Sequence, residues 1–187
     1  MRDLENDRLL IRALRPDDRD VFAAIVDAAF GSPHGAAEYS DMVNYHALGD
    51  RVHDILHQPP YGERAVVLQA SGVVIGLVGF VPCLRPFAQL PSFGGVPDAR
   101  YTAEVGLFWA VAPEHRGRGI ATEAARAMIA YAFDELRLAR IVATTDHDNP
   151  ASIAVMRRLG MTIDRNPFAT PPWHQVVGFL DAPANRL

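Results

Sequence analysis

The spacing of apolar and polar positions changes several times along the chain. Residues 8–15 hold a short apolar run that predicts a first strand, and Pro16-Asp17-Asp18 then opens a helix. Asp17 is placed to cap that helix, and Asp18 and Asp20 suit the positive end of its dipole. Val21, Phe22, Ile25, Val26 and Ala29 recur at helical spacing until Gly31–Gly35 breaks the pattern. A second helical region spans 37–57, with Met42, Tyr45, His46, Val52, Ile55 and Leu56 as its apolar positions and Gly49 as a break. After the Pro59-Pro60-Tyr61-Gly62 turn the period shortens. Arg64–Ala70 and Val73–Val81, around Ser71-Gly72, predict a β-hairpin. Residues 82–100 are rich in proline and glycine and have little periodicity, so they read as a loop, either a lid beside a substrate cleft or a plain surface insertion.

The second half is better punctuated. Tyr101–Val111 predicts a strand, and Ala121, Ala125, Met128, Ile129, Ala132, Phe133 and Leu136 form one helical stripe after it. Leu138–Thr145 predicts a strand and Asp146–Asn149 a turn. A helix follows over Pro150–Gly160, with Asn149 as N-cap, Pro150 in the first turn and Gly160 as C-cap. Met161–Arg165 and Gln175–Leu180 predict a last strand pair around the proline-rich 167–172. The order is β-α-α-β-β-β-α-β-α-β-β, a mixed α/β chain with no repeat or linker, read as one domain over 1–187.

Between the strand and the long helix lies Val111-Ala-Pro-Glu-His-Arg-Gly-Arg-Gly-Ile-Ala-Thr122. Strand, glycine turn, helix is a layout that binds phosphate. The first helical amides have no intrahelical partner and sit at the positive end of the dipole, and glycine lets backbone approach an anion. Arg116 and Arg118 add charge that can pair with phosphate oxygens. There is no G-x-x-x-x-G-K-[ST], and Thr122 stands where G-x-G-x-x-G would end, so two familiar nucleotide loops are excluded.

Composition narrows the rest. The 187 residues are 49% hydrophobic and 21% charged, enough for one buried core, and no apolar run is long enough to span a bilayer. The first eight residues are charged, without a signal-peptide core, and Cys83 is the single cysteine, so a cytoplasmic location is expected. The apolar neighbours of Cys83 favour a buried structural thiol. Net charge is −4 and all 18 basic residues are arginine, which gives no nucleic-acid footprint and no lysine to modify. His53 and His57 stand one helical turn apart, and Asp50 and Asp54 are the further acidic groups nearby. No His-Glu-x-x-His is present, and surface or cleft histidines, including His34 and His46, are expected rather than a metal.

Arg116-Gly-Arg-Gly119-Ile120-Ala121 resembles the acetyl-CoA pyrophosphate loop of the GNAT N-acetyltransferase superfamily, [Q/R]-x-x-G-x-[G/A]. Three further stretches resemble elements of its ribosomal-protein N-terminal acetyltransferase branch: Ala103–Trp109 the E-[IV]-G-x-W strand, Asn149–Ser152 the N-x-x-S element, and Arg157–Met161 a helix end, with Met161 in place of the usual Phe. The resemblance runs from Arg8 to Leu180. It implies a mixed, mostly antiparallel sheet flanked by helices, acetyl-CoA as co-substrate, and an amine acceptor that is a protein N-terminus or a small molecule. It also implies a monomer or homodimer, without nucleic acid, membrane or metal.

An amine must lose a proton before it attacks a thioester, and α-amines, with pKa about 8, do so more readily than lysines at about 10.4. Glu104 is the candidate base, the role the branch also assigns to that position; an ion-paired strand residue is the alternative. By resemblance an oxyanion donor lies within Leu107–Trp109, and the backbones of Trp109 and Val111 pair with the pantetheine arm. Ser152 assists the leaving thiolate, Asn149 bonds a pantetheine amide, and Thr122 adds a hydroxyl to the pyrophosphate. Helix capping alone would also explain Asn149 and Ser152. Tyr101 and Tyr131 are alternative acids. An acetyl-CoA-sensing module without turnover, or an enzyme for a longer acyl-CoA, fits the same letters.

Overall fold

The apolar run at the start forms β2 (Leu9–Ala13), preceded by a short strand, β1 (Leu4–Glu5), too brief to register as a pattern. The computed structural model describes residues 1–31 and 33–183; Ser32, the side chain of Asp50 and residues 184–187 lie outside it. The remaining elements are α1 (Arg19–Phe30), α2 (Ala36–Ile55), β3 (Gly62–Leu68), β4 (Val73–Arg85), β5 (Thr102–Val111), α3 (Ile120–Asp134), β6 (Arg140–Thr145), α4 (Pro150–Arg158), β7 (Thr162–Arg165) and β8 (Val176–Asp181). The expected order holds apart from β1. The sheet is mixed and mostly antiparallel, with helices flanking it.

Two compact units share the chain, and β4, β5 and α3 pass from one into the other. The first comprises Met1–Val81 and Phe108–Met128. Its strands run β1-β2-β3-β4-β5, with antiparallel registers Leu4↔Ile11, Ile11↔Val66 and Ala65↔Leu77. The hairpin turn closes on Leu68↔Val73. At Gly76 an added Cβ would stand 2.7 Å from the Ala110 carbonyl, so only glycine lets β4 and β5 approach this closely. The core packs Phe22, Ile25 and Val26 of α1 and Tyr39 and Val43 of α2 against Ala65, Val67, Leu77 and Ala110.

Several local expectations change here. Pro16–Asp18 is a 3-10 turn and α1 begins at Arg19, so Asp17 is not its cap. The Asp18 carboxylate instead accepts from the Arg15 amide (2.8 Å) and both terminal nitrogens of Arg12 (2.7 and 2.9 Å). The second helix runs through Gly49, because one glycine costs only about 1 kcal/mol against alanine and packing of Tyr39 and Val43 outweighs it. Tyr45, Ile55 and Leu56 are exposed rather than packed.

The second unit comprises Pro82–Leu107 and Ile129–Leu187. Its strands run β5-β6-β8-β7. β5 and β6 are parallel through Gly106↔Val142, as a crossover by way of α3 requires, and the other pairs are antiparallel. Residues 82–100, expected as a loop, hold more structure than their lack of period suggests. Strand β4 continues to Arg85, and short 3-10 turns follow at Phe87–Gln89 and Pro91–Phe93. Phe87 and Leu90 are buried with Cys83, Val142 and Val177. Buried Gln89 donates to the carbonyls of Pro97 (2.7 Å) and Thr170 (3.0 Å), and Ser92 bonds Asp164 through its amide (2.8 Å) and hydroxyl (3.0 Å). Cys83, Phe87, Gln89 and Leu90 therefore belong to the core, while residues 91–100 stay largely exposed and are tied down by the Ser92–Asp164 bonds.

Candidate active site

In the first unit β5 ends at Val111 and the chain enters a 3-10 turn, Pro113–His115. Arg116 is extended (φ −66°, ψ 158°), while Gly117 and Gly119 have φ of +75° and +80°. Left-handed φ is cheap only for glycine. No neighbour lies within 4 Å of where a Cβ would stand at either glycine, so conformation rather than space calls for glycine. Helix α3 then begins at Ile120, and Ile120, Ala121 and Thr122 occupy its unpartnered first turn. Thr122 is buried, and its Oγ1 has no partner among the described residues. A buried hydroxyl left unbonded at a helix N-terminus fits a ligand oxygen.

The arginines divide. Arg116 donates through Nε to the Val111 carbonyl (2.9 Å) and through Nη2 to the Ala28 carbonyl (3.1 Å), which leaves Nη1 as the part of its guanidinium without a carbonyl partner in these two bonds. Arg118 is exposed, and its carbonyl accepts from Arg8 (3.4 Å), which also pairs with Glu123. The Arg118 side chain is exposed and has no hydrogen-bond or ion-pair partner among the described residues. The Val111 carbonyl, expected to face the pantetheine arm, already accepts the Arg116 bond on one of its lone pairs. Trp109 is half-buried on β5.

In the second unit β5 carries Glu104, half-buried. Burial raises its pKa above the ordinary carboxylate range; Arg140 works against this and Asp181 adds to it. The Arg140 Nη1 lies 3.9 Å from Glu104 Oε1. Near the start of α4, Asn149 Oδ1 accepts from the Ser152 amide (3.0 Å), so that oxygen serves as the helix cap, and the Asn149 amide donors and the Ser152 hydroxyl are what a ligand could use. Beside them Asp146, His147, Asp148, Pro172, Trp173 and Gln175 line an open cleft of about 640 Å³.

The other candidates have local partners. Tyr101, half exposed, meets the Trp173 ring at 6.2 Å; Tyr131 lies within α3. Cys83 is buried, and burial pushes its thiol up. His46 Nδ1 accepts from the Glu63 amide (3.2 Å), and His57, at φ +52°, falls beyond α2, so His53 and His57 do not share a helical face. Two groups have no sequence signature. Arg140 reaches Glu104 through strand register, and burial raises Glu63, at the start of β3, to about 7.

A sequence model of the acetyltransferase (GNAT) domain matches residues 8–162. The spermidine N(1)-acetyltransferase of Escherichia coli is 27% identical over 143 residues, 76% of this chain and 63% of that protein. An uncharacterized N-acetyltransferase of Bacillus subtilis is 41% identical over 61 residues, 33% of this chain and 35% of that protein. The chain thus spans less than two thirds of the length of these curated relatives. The crystal structure of an acetyltransferase from Agrobacterium tumefaciens superposes with a TM-score of 0.67 at 25% identity, covering 96% of this chain and 94% of that one. A match that runs from the first strands past the glycine loop to α4, over a fold shared along nearly the whole length, places this chain in the GNAT acetyltransferase family.

Proposed function

We propose that the protein, working as one N-acetyltransferase domain, transfers the acetyl group of acetyl-CoA to a primary amine by direct attack, with Glu104 as general base. The observation that carries the reading is the loop of left-handed Gly117 and Gly119 ahead of α3, with the unbonded Thr122 hydroxyl, inside the matched family region. Acetyl-CoA supplies the activated acetyl group and a pyrophosphate. The amides of Gly117–Thr122, the Thr122 hydroxyl and the Arg118 side chain hold that pyrophosphate. The backbones of Trp109 and Val111 and the Asn149 amide group orient the pantetheine arm. Ser152 donates to the departing sulfur. Glu104 takes the proton from the incoming ammonium, and its raised pKa makes it a stronger base than an exposed carboxylate.

The acceptor is a protein N-terminal amine, as the motifs of the ribosomal-protein branch suggest, or a small amine such as the polyamine named for the E. coli relative. Asp146 and Asp148 at the cleft suit a cationic acceptor. The test is thiol release from acetyl-CoA with peptides, polyamines, amino acids and aminoglycosides, for wild type and Glu104→Gln. Release that depends on the amine and falls about 10²- to 10⁴-fold in the variant, with acetyl-CoA affinity unchanged, supports the assignment. Unchanged release removes Glu104 from the role, and binding without release for any amine favours a sensing module.

A further inference from the structure

Arg140 stands at the middle of a charged row that crosses three neighbouring strands. Gly106 pairs with Val142 in the parallel β5–β6 pair, so two residues back along both strands Glu104 and Arg140 lie side by side on one face. On the other side of β6, Arg140 is the direct partner of Asp181 on β8. The row reads acid, base, acid.

Arg140 does not divide itself evenly between the two carboxylates. Its Nε donates to Asp181 Oδ1 at 2.5 Å, whereas Nη1 stays 3.9 Å from Glu104 Oε1, in charge contact but beyond hydrogen-bond reach. Its guanidinium lies over the rings of Phe93 (4.7 Å) and Phe179 (5.5 Å), which meet edge to face at 4.9 Å. The aromatic pair and Asp181 therefore fix where the cation can sit.

We propose that Arg140, held by Asp181, Phe93 and Phe179, is the positioning residue of Glu104: it places a positive charge near the carboxylate without taking its lone pairs. The inference rests on Glu104 being the general base. A base has to be ionised at working pH and still have an oxygen free for the substrate proton. Arg140 at 3.9 Å serves the first need, and its hydrogen bond to Asp181 secures the second. Without Asp181, the guanidinium is free to close into a two-bond fork on Glu104 that would occupy both oxygens. The groups facing this carboxylate are Arg140 on β6, Asp181 on β8 and the buried Cys83 thiol on β4.

The test is the pH dependence of kcat/KM for the best amine, measured for wild type, Arg140→Gln, Arg140→Lys and Asp181→Asn. Removing the cation makes Glu104 harder to ionise, so the acid limb moves to higher pH in Arg140→Gln. Removing Asp181 takes away a negative neighbour and frees Arg140, so the limb moves to lower pH in Asp181→Asn and kcat falls at the plateau. Lysine keeps the charge and restores the limb most of the way toward wild type. KM for acetyl-CoA is unchanged in all three. A merely structural role would lower activity at every pH and leave the limb in place. Arg140→Gln and Asp181→Asn limbs that stay put, or move the same way, overturn the inference while Glu104→Gln remains inactive. If Glu104→Gln is itself fully active, the general-base assignment fails instead. If Arg140→Gln does not fold, the direction of the Asp181→Asn shift and the Arg140→Lys profile decide the matter.

Discussion

Thr122→Val separates what the glycine loop needs for ligand from what the free protein needs to fold. Thr122 is 7% exposed in the first turn of α3, and its Oγ1 has no partner among the described residues. A buried hydroxyl with no hydrogen bond costs the folded state about 1–3 kcal/mol. Valine keeps the branched shape, replaces the hydroxyl with a methyl and has similar helix propensity. No bond is lost on substitution, so the free protein should keep its stability or gain up to about 1–3 kcal/mol. Toward a ligand the sign reverses. A hydroxyl donated to a charged phosphate oxygen contributes about 1.5–3 kcal/mol, so the Kd for CoA should rise about 10- to 150-fold.

Two assays check this: the urea midpoint of the unliganded protein, and calorimetric titration with CoA. Pantetheine, which lacks the pyrophosphate, is the control and should bind both proteins alike. A variant that loses more than about 1 kcal/mol without ligand would show that the hydroxyl serves the fold. An unchanged CoA affinity would refute the reasoning that places the hydroxyl against phosphate.

Two predictions concern buried acids of the first unit. Burial alone would raise the Asp18 carboxyl, but hydrogen bonds from Arg12 and the Arg15 amide outweigh it and hold it below the ordinary range. Its contribution is present above the unfolded pKa and is lost as pH falls through the folded one. Asp18→Asn should therefore cost about 3–5 kcal/mol at pH 7 by leaving Arg12 buried and unpaired, and urea melts should show that gap closing in acid. Glu63 behaves oppositely, because burial raises it to about 7 and wild-type stability falls as pH climbs from the unfolded value toward that point. Glu63→Gln removes the charge, so it should exceed wild type by about 3 kcal/mol at pH 8 and match it near pH 4; a constant difference across that range would refute the assignment.

Much of the fold was legible because local rules and tertiary packing agree. The stripe of α1, the Asn149 cap and Gly160 stop of α4, and the hairpin turn at Gly72 all stand within one or two residues of expectation. Residues 82–100 were not legible. Their anchoring depends on Gln89 reaching Thr170 and Ser92 reaching Asp164, partners far along the chain, and an irregular backbone has no period to reveal that Phe87 turns inward. Gly49 does not break α2, since a glycine is a cost that packing can outweigh rather than a stop. Likewise the letters around Arg116 do not show that the carbonyls of Val111 and Ala28 take its Nε and Nη2 donors, because those carbonyls come from elements folded next to it.

The glycine loop and the surroundings of Glu104 differ in legibility for one reason. A backbone anion site is built by consecutive residues: two left-handed glycines and the first turn of a helix suffice, so Arg116–Thr122 announces itself in the letters. The strength of a base such as Glu104 is set first by its burial and then by whatever charge the fold brings near it. Nothing around Glu104 in the sequence marks Arg140 or Asp181. Their meeting depends on the parallel register Gly106↔Val142 and the antiparallel register Arg140↔Asp181 holding together. A one-residue slip of either register would put Arg140 on the opposite face from its partner on that side. A chain can therefore keep the whole cofactor loop and still change the basicity of Glu104 through substitutions far from any motif, which makes Arg140 and Asp181 the positions at which the loop's ligand and the strand's chemistry can be varied independently.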